Sequence, residues 1–164
     1  MGWLSLRPHT AAELTRKLAR RQVPEEVAEA VLGRFAEVGL VDDRAFAAAW
    51  VDSRHGGRGL ARRALAHELR QRGVEGAVVA EALAELAPET ELATARRLVQ
   101  RRLAGLAGLP REAQVRRLVG LLARKGYGAG TAARVVREAL EAVGPGTEAE
   151  QQALLALDSS QGDG

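Results

Sequence analysis

At 164 residues with a formal charge of +3, the chain is long enough for one compact domain or several small ones. It contains no cysteine, which excludes disulfides and thiolate metal sites. Neither an apolar run near the roughly 18 residues of a membrane span nor the serine or threonine of a myristoylation signal after Met1-Gly2 is present, so a soluble protein of the cytoplasm is expected.

Alanine, leucine, glutamate and arginine dominate, isoleucine is absent and aromatic residues make up only 3%. These are helix-forming choices, and an all-α fold is predicted. Taken in order, a short helix is expected from Trp3 to Arg7. Thr10, with Glu13 three residues on, then forms a capping-box pattern that starts a helix carrying Leu14 and Leu18. Beyond Gln22 and Val23, Pro24-Glu25-Glu26 opens a further helix whose apolar face is Val31, Leu32 and Phe35. Gly39 ends this unit.

Asp42 and Asp43 are expected to cap the next helix, which carries Phe46 and Trp50 and reaches Arg54. The Gly56-Gly57-Arg58-Gly59 stretch follows no strand and lacks the Lys-Ser/Thr end of a nucleotide loop, so it reads as a flexible joint. A helix bearing Leu65 and Leu69 comes next, then Gly73 and Val74, then a helix with Ala82, Leu83 and Leu86. Pro88 to Glu91 restarts the chain. A segment from Glu91 to Ala107 precedes a helix with Leu118 and Leu122, the pair Gly126-Tyr127, and a last helix with Val135, Val136 and Ala139. Past Val143 the composition changes to a frayed, acidic tail around a short leucine-containing patch, with one weak helix expected.

The triplets Leu14/Leu18/Val23, Leu65/Leu69/Val74 and Leu118/Leu122/Tyr127 start 51 and 53 residues apart. A period of about 50 residues is that of a stacked helical unit. The expectation is three tandem three-helix repeats, each ending in a helix-turn-helix-like pair, that form an elongated, curved array. They occupy residues 1–41, 42–88 and 89–143, with residues 144–164 as a flexible acidic tail. Glycine at 73 and 126 fits a left-handed helix end; Gln22 in the matching slot leaves that conformation open in the first repeat.

Charge is distributed unevenly. Residues 1–42 carry 6 basic and 6 acidic groups and residues 43–90 carry 7 of each, whereas residues 91–142 carry 11 basic and 4 acidic groups, a net of +7. Residues 143–164 add 4 acids and no base. All but Lys17 and Lys125 of the 24 basic residues are arginine, whose forked guanidinium suits phosphate and carboxylate. Three clusters stand out: Arg62, Arg63, Arg70 and Arg72; Arg96, Arg97, Arg101 and Arg102; and Arg111, Arg116, Arg117, Arg124 and Lys125. Such runs also arise as solvated helix faces, but their concentration in one repeat points to an anionic partner, chiefly through phosphate contacts. The tail either solubilises the protein or shields this surface.

No catalytic constellation emerges. Asp42 and Asp43 diverge on a helix and have no nearby base, His67 beside Glu68 has nothing converging on it, and His9, His55 and His67 are too scattered for a metal site. The expectation is a protein that is not an enzyme and needs no cofactor. Asparagine, a usual reader of adenine, is absent. Trp3, Phe35, Phe46, Trp50 and Tyr127 fall mostly on apolar faces and read as core, not as stacking platforms.

The stretches VGLVDDRAFAAAWV (38–51), RGLARRALAHELRQRGV (58–74) and LLARKGYGAGTAARVVREAL (121–140) resemble the RecX family of bacterial regulatory proteins. The resemblance runs from about Leu4 to Ala142 through all three repeats. Its most specific elements are Asp42-Asp43-Arg44-Ala45-Phe46 and Glu68-Leu69-Arg70-Gln71-Arg72-Gly73-Val74. What it implies is a modulator that binds the RecA filament on DNA, suppresses strand exchange, ATP hydrolysis and coprotease activity, and has affinity for single- and double-stranded DNA itself. Some relatives carry a longer N-terminal segment than the one before Leu4. A monomer is expected. A helix-turn-helix DNA-binding regulator and a repeat adaptor remain alternatives.

Overall fold

The structure, a computed structural model, describes residues 8–144; the expected Trp3–Arg7 helix and the weak helix of the tail lie outside them. Among the described residues eight α-helices follow one another: α1 (Ala11–Arg20), α2 (Glu25–Glu37), α3 (Asp43–Arg58), α4 (Arg62–Gln71), α5 (Gly76–Ala84), α6 (Pro88–Leu103), α7 (Arg111–Arg124) and α8 (Ala129–Val143), with a 3-10 turn at Ala104–Leu106. There is no strand among the described residues. The fold is all-α. By their contacts the residues fall into two compact units, one running to Glu91 and including Lys125–Tyr127, the other made of Leu92–Arg124 and the residues from Gly128.

In the first unit, α1 begins with the capping box that its sequence announces. The Glu13 N–H donates to Thr10 Oγ1 at 3.2 Å, and the Thr10 N–H donates to Glu13 Oε2 at 3.2 Å. The adjacent aspartates divide their work in a way the sequence did not predict. Asp42 caps its own helix by accepting from the Ala45 N–H at 3.1 Å, whereas Asp43 reaches across the chain and accepts from the Ala11 N–H at 2.9 Å. Two helix N-termini are thereby supplied with acceptors for N–H groups that no helix can satisfy internally.

Helix α3 corrects a second expectation. Gly56, Gly57 and Arg58 are its last turn, not a flexible joint, and Gly59 caps it at φ 67° with its N–H on the His55 carbonyl at 2.9 Å. Each mid-helix glycine costs about 1 kcal/mol relative to alanine. Burial elsewhere in the helix outweighs that cost, since Phe46, Ala47, Val51 and His55 all face the core. The His55 ring ties the end down by donating from Nδ1 to the Leu60 carbonyl at 2.8 Å. Against this face pack Leu65, Leu69, Val74, Val79 and Leu86, which complete the hydrophobic core.

Three helix–turn–helix pairs share one turn geometry: α1/α2 at Gln22 (φ 59°), α4/α5 at Gly73 (φ 80°) and α7/α8 at Gly126 (φ 91°). All three residues are left-handed, so Gln22 adopts the strained conformation without being glycine. The other two glycines are needed for a further reason. A Cβ at Gly73 would stand 2.4 Å from Ala12 Cβ, and one at Gly126 would stand 2.5 Å from the Ala64 backbone nitrogen. Gln22 is exposed.

Beside each close approach runs a hydrogen bond from the start of a helix. Thr10 Oγ1 donates to the Arg72 carbonyl at 2.6 Å, and the Ala61 N–H donates to the Lys125 carbonyl at 2.8 Å. Tyr127 adds a bond from its hydroxyl to the Gly59 carbonyl at 2.9 Å. In the second unit, Thr94, Ala95, Val99, Leu106, Leu118, Leu122, Ala132, Val135, Val136 and Leu140 are buried. There Gln114, at the position matching Thr10 and Ala61, is buried and donates inward to the Leu106 and Leu109 carbonyls, both at 3.0 Å.

Candidate anion-binding surface

The basic residues singled out by charge separate into structural and solvent-facing groups. Arg62 is structural. Its backbone N–H and Nε both meet Glu91 Oε2, at 3.1 and 3.3 Å, while its guanidinium donates to the Leu83 carbonyl at 3.1 Å and to the Leu86 carbonyl. A cation at the carbonyl end of α5 is favoured by the helix dipole. Lys125 does the same for α3, donating to the Arg58 carbonyl at 2.6 Å.

Arg72 is the most committed of the set. Its NH1 pairs with Glu13 Oε1 at 2.9 Å, and its guanidinium lies 4.4 Å from the Trp50 ring centroid and 6.0 Å from that of Phe46. Trp50 is held on its other contacts by Arg54 at 4.3 Å and by donating from Nε1 to Glu68 Oε2 at 2.9 Å. A charge-assisted hydrogen bond contributes roughly 1.5–3 kcal/mol and a cation–π contact roughly 0.5–2 kcal/mol. Arg72→Ala is therefore expected to lower stability by about 2–3 kcal/mol, read from a urea denaturation curve followed by tryptophan fluorescence. An unchanged midpoint would show that Arg72 does not hold α1 to α3. Of the same cluster, Arg63 and Arg70 are exposed and make no ion pair with any described residue.

In the second unit the α6 arginines fan out around their helix. At about 100° per residue, Arg96 and Arg102 stand about 120° apart around the helix. Arg96 turns to α8 and places Nε and NH2 on Glu138 Oε2, at 3.1 and 3.0 Å, which neutralises it. Arg97 donates to Thr94 Oγ1 at 2.9 Å, and Arg101 is exposed. Arg111 donates to the Gly144 carbonyl at 2.6 Å.

Arg102 faces the other way and joins α7. Together with Arg116, Arg117, Arg124 and Leu121 it lines an open hollow of about 640 Å³. Arg117, Leu121 and Arg124 recur at the i, i+4, i+7 spacing that places side chains along one helix stripe. Gly120 makes room, because a Cβ there would lie 3.2 Å from Arg124 NH1. All four arginines are exposed, and none pairs with a carboxylate among the described residues. Four like charges around one concavity repel one another until an anion enters. Guanidinium forks then offer paired donors to phosphate oxygens.

Proximity along the chain groups these side chains differently, and it reveals neither Glu138 as the counter-charge of Arg96 nor the union of Arg102 with α7. The one local signal was Gly120 a turn before Arg124. Among the described residues no three His, Asp or Glu side chains cluster as a metal site, and no helix is long and apolar enough to cross a membrane. The arrangement can bind an anion; it presents no paired acid and base.

Residues 1–35 match the family description "RecX, first three-helix domain", and residues 42–83 match "RecX, second three-helix domain". A regulatory protein RecX from Thermobifida fusca is 63% identical over 141 residues, covering 86% of this chain and 76% of that protein. The chain belongs to the RecX family. A regulatory protein RecX from Mycolicibacterium smegmatis is 46% identical over 137 residues, 81% of this chain and 73% of its relative. The crystal structure of RecX from Lactobacillus salivarius superimposes with a TM-score of 0.76 over 83% of this chain and 88% of that one, at 15% identity, which speaks to the fold. In RecX terms the Asp-Asp-x-x-Phe motif is architectural here: Asp42 and Asp43 cap two helices and Phe46 lies in the core.

Proposed function

We propose that this chain is a regulatory protein that binds the RecA nucleoprotein filament and restrains RecA's recombinase, ATPase and coprotease activities, and so modulates DNA repair and the SOS response from the cytoplasm. It acts by binding, not by catalysis. Family membership supports the partner, and the hollow of Arg102, Arg116, Arg117 and Arg124, which have no carboxylate partner among the described residues, supports the contact. In this reading the four guanidiniums meet DNA phosphates at the filament, single- or double-stranded, while exposed arginines such as Arg63, Arg70 and Arg101 add weaker contacts. Several weak contacts on one chain reinforce each other through effective concentration. A ligand of this kind displaces the filament equilibrium only as far as it prefers one filament state over another.

The test is RecA ATPase on single-stranded DNA, titrated with the protein well below one molecule per RecA. Inhibition at that ratio is expected, because blocking growth or favouring disassembly affects many subunits per molecule bound. Undiminished hydrolysis with the protein in excess would refute the proposal. Competition with random-sequence DNA separates this reading from a site-specific DNA regulator, whose affinity would fall steeply on random sequence.

A further inference from the structure

Two apolar hollows in the second unit open where the described chain stops. One, of about 570 Å³ between α7 and α8, is lined by Val115, Val119, Val136 and Leu140 together with Arg111, Arg137 and Glu141. The other, of about 410 Å³, is lined by Leu103, Ala107, Ala139 and Val143 among others. Arg111 and Gly144 border both. Val115 is 39% exposed and Val143 67%. Apolar side chains gathered at one place offer a seat for an apolar segment.

The sequence continues from Gly144 into residues 145–164, whose large apolar side chains are Leu154, Leu155 and Leu157, with Glu148, Glu150 and Asp158 around them. The nine residues between Gly144 and Leu154 span at most about 30 Å. The whole of α7 is about 21 Å long, so the leucines reach any part of the groove. Charge agrees as well as length. Among the described residues Arg137 pairs with the exposed Glu141 at 3.9 Å, and Arg111 spends one donor on the Gly144 carbonyl, which leaves further guanidinium donors at the groove for the acids flanking the leucines.

We propose that Leu154, Leu155 and Leu157 of this same chain occupy the apolar groove between α7 and α8, with Glu148, Glu150 or Asp158 meeting Arg111 and Arg137. Tethering makes the contact intramolecular, at an effective concentration on the order of millimolar, so a modest affinity suffices.

The absence of cysteine makes disulfide trapping direct. Under mild oxidation, Val115→Cys/Leu155→Cys is expected to form an intrachain disulfide at least tenfold faster than Ala123→Cys/Leu155→Cys, since Ala123 is exposed on α7 outside the groove. Adding Leu154→Asp and Leu157→Asp to the first pair should remove the difference. Equal rates in the two pairs overturn the proposal. So does a product linked only between chains, which would assign the groove to a second copy. As a second reading without cysteines, the methyl resonances of Val115, Val119 and Val136 should shift when residues 146–164 are removed; superimposable spectra reject the docking.

Discussion

Gly126→Ala is expected to destabilise the first unit by about 3 kcal/mol. Two costs combine. A non-glycine residue held in the left-handed region loses roughly 1–2 kcal/mol, and the position has φ 91°. The added Cβ also lands 2.5 Å from the Ala64 nitrogen and 2.6 Å from its Cβ, and overpacking of that kind costs roughly 1–3 kcal/mol. Neither backbone nor a methyl can swing aside as a long side chain would. Gln22→Gly is the converse experiment. There the left-handed strain is already present at φ 59° on an exposed side chain, so relief of strain less the added chain entropy should stabilise the protein by about 0.5–1 kcal/mol. Urea midpoints of the two variants should move in opposite directions. A Gly126→Ala protein as stable as the parent would mean that the turn does not sit against α4.

The second large effect belongs to the hollow. Replacing Arg102, Arg116, Arg117 and Arg124 together by alanine is expected to weaken single-stranded DNA binding by about 100-fold or more at low salt. Each lost phosphate contact lowers the slope of log affinity against log salt by about 0.7, hence about 3 for four. Fold stability should change little, because the four side chains are exposed and no carboxylate among the described residues depends on them. Two controls separate binding from folding. Arg96→Ala should leave affinity nearly unchanged, since Glu138 already neutralises it. Arg62→Ala should lower stability, since Arg62 serves Glu91 and the carbonyl end of α5. A quadruple variant with the parental salt slope would show that phosphates are read elsewhere on the protein.

What could be read from the residues alone was the local part of the structure. Leu14, Leu65, Leu69, Leu118 and Leu122 are buried, because positions four apart share a helix face whatever the rest of the chain does. Thr10 caps α1 because its partner Glu13 is three residues away. The long-range part was not legible. Asp43 caps α1 from 32 positions away and Arg72 pairs with Glu13 from 59, and no periodicity encodes such meetings. The glycines of the α3 end misled because propensity weighs a residue by itself, while Phe46, Val51 and His55 anchor that helix from the core. At the candidate surface a net charge of +7 over residues 91–142 was visible, but not which guanidiniums it left unpaired. That depends on the rotation of α6, which turns Arg96 to Glu138 and Arg102 away from it.

The donors at Thr10, Ala61 and Gln114 give the architecture a direction. The first two point outward to the Arg72 and Lys125 carbonyls, while the third turns back on its own unit at Leu106 and Leu109. Gln22 occupies the turn at which Gly73 and Gly126 stand in the other two pairs, with its side chain exposed. One helix position thus serves two purposes: at Thr10 and Ala61 it ties a helix start to a turn more than 60 residues away, and at Gln114 it ties a helix to the loop just before it.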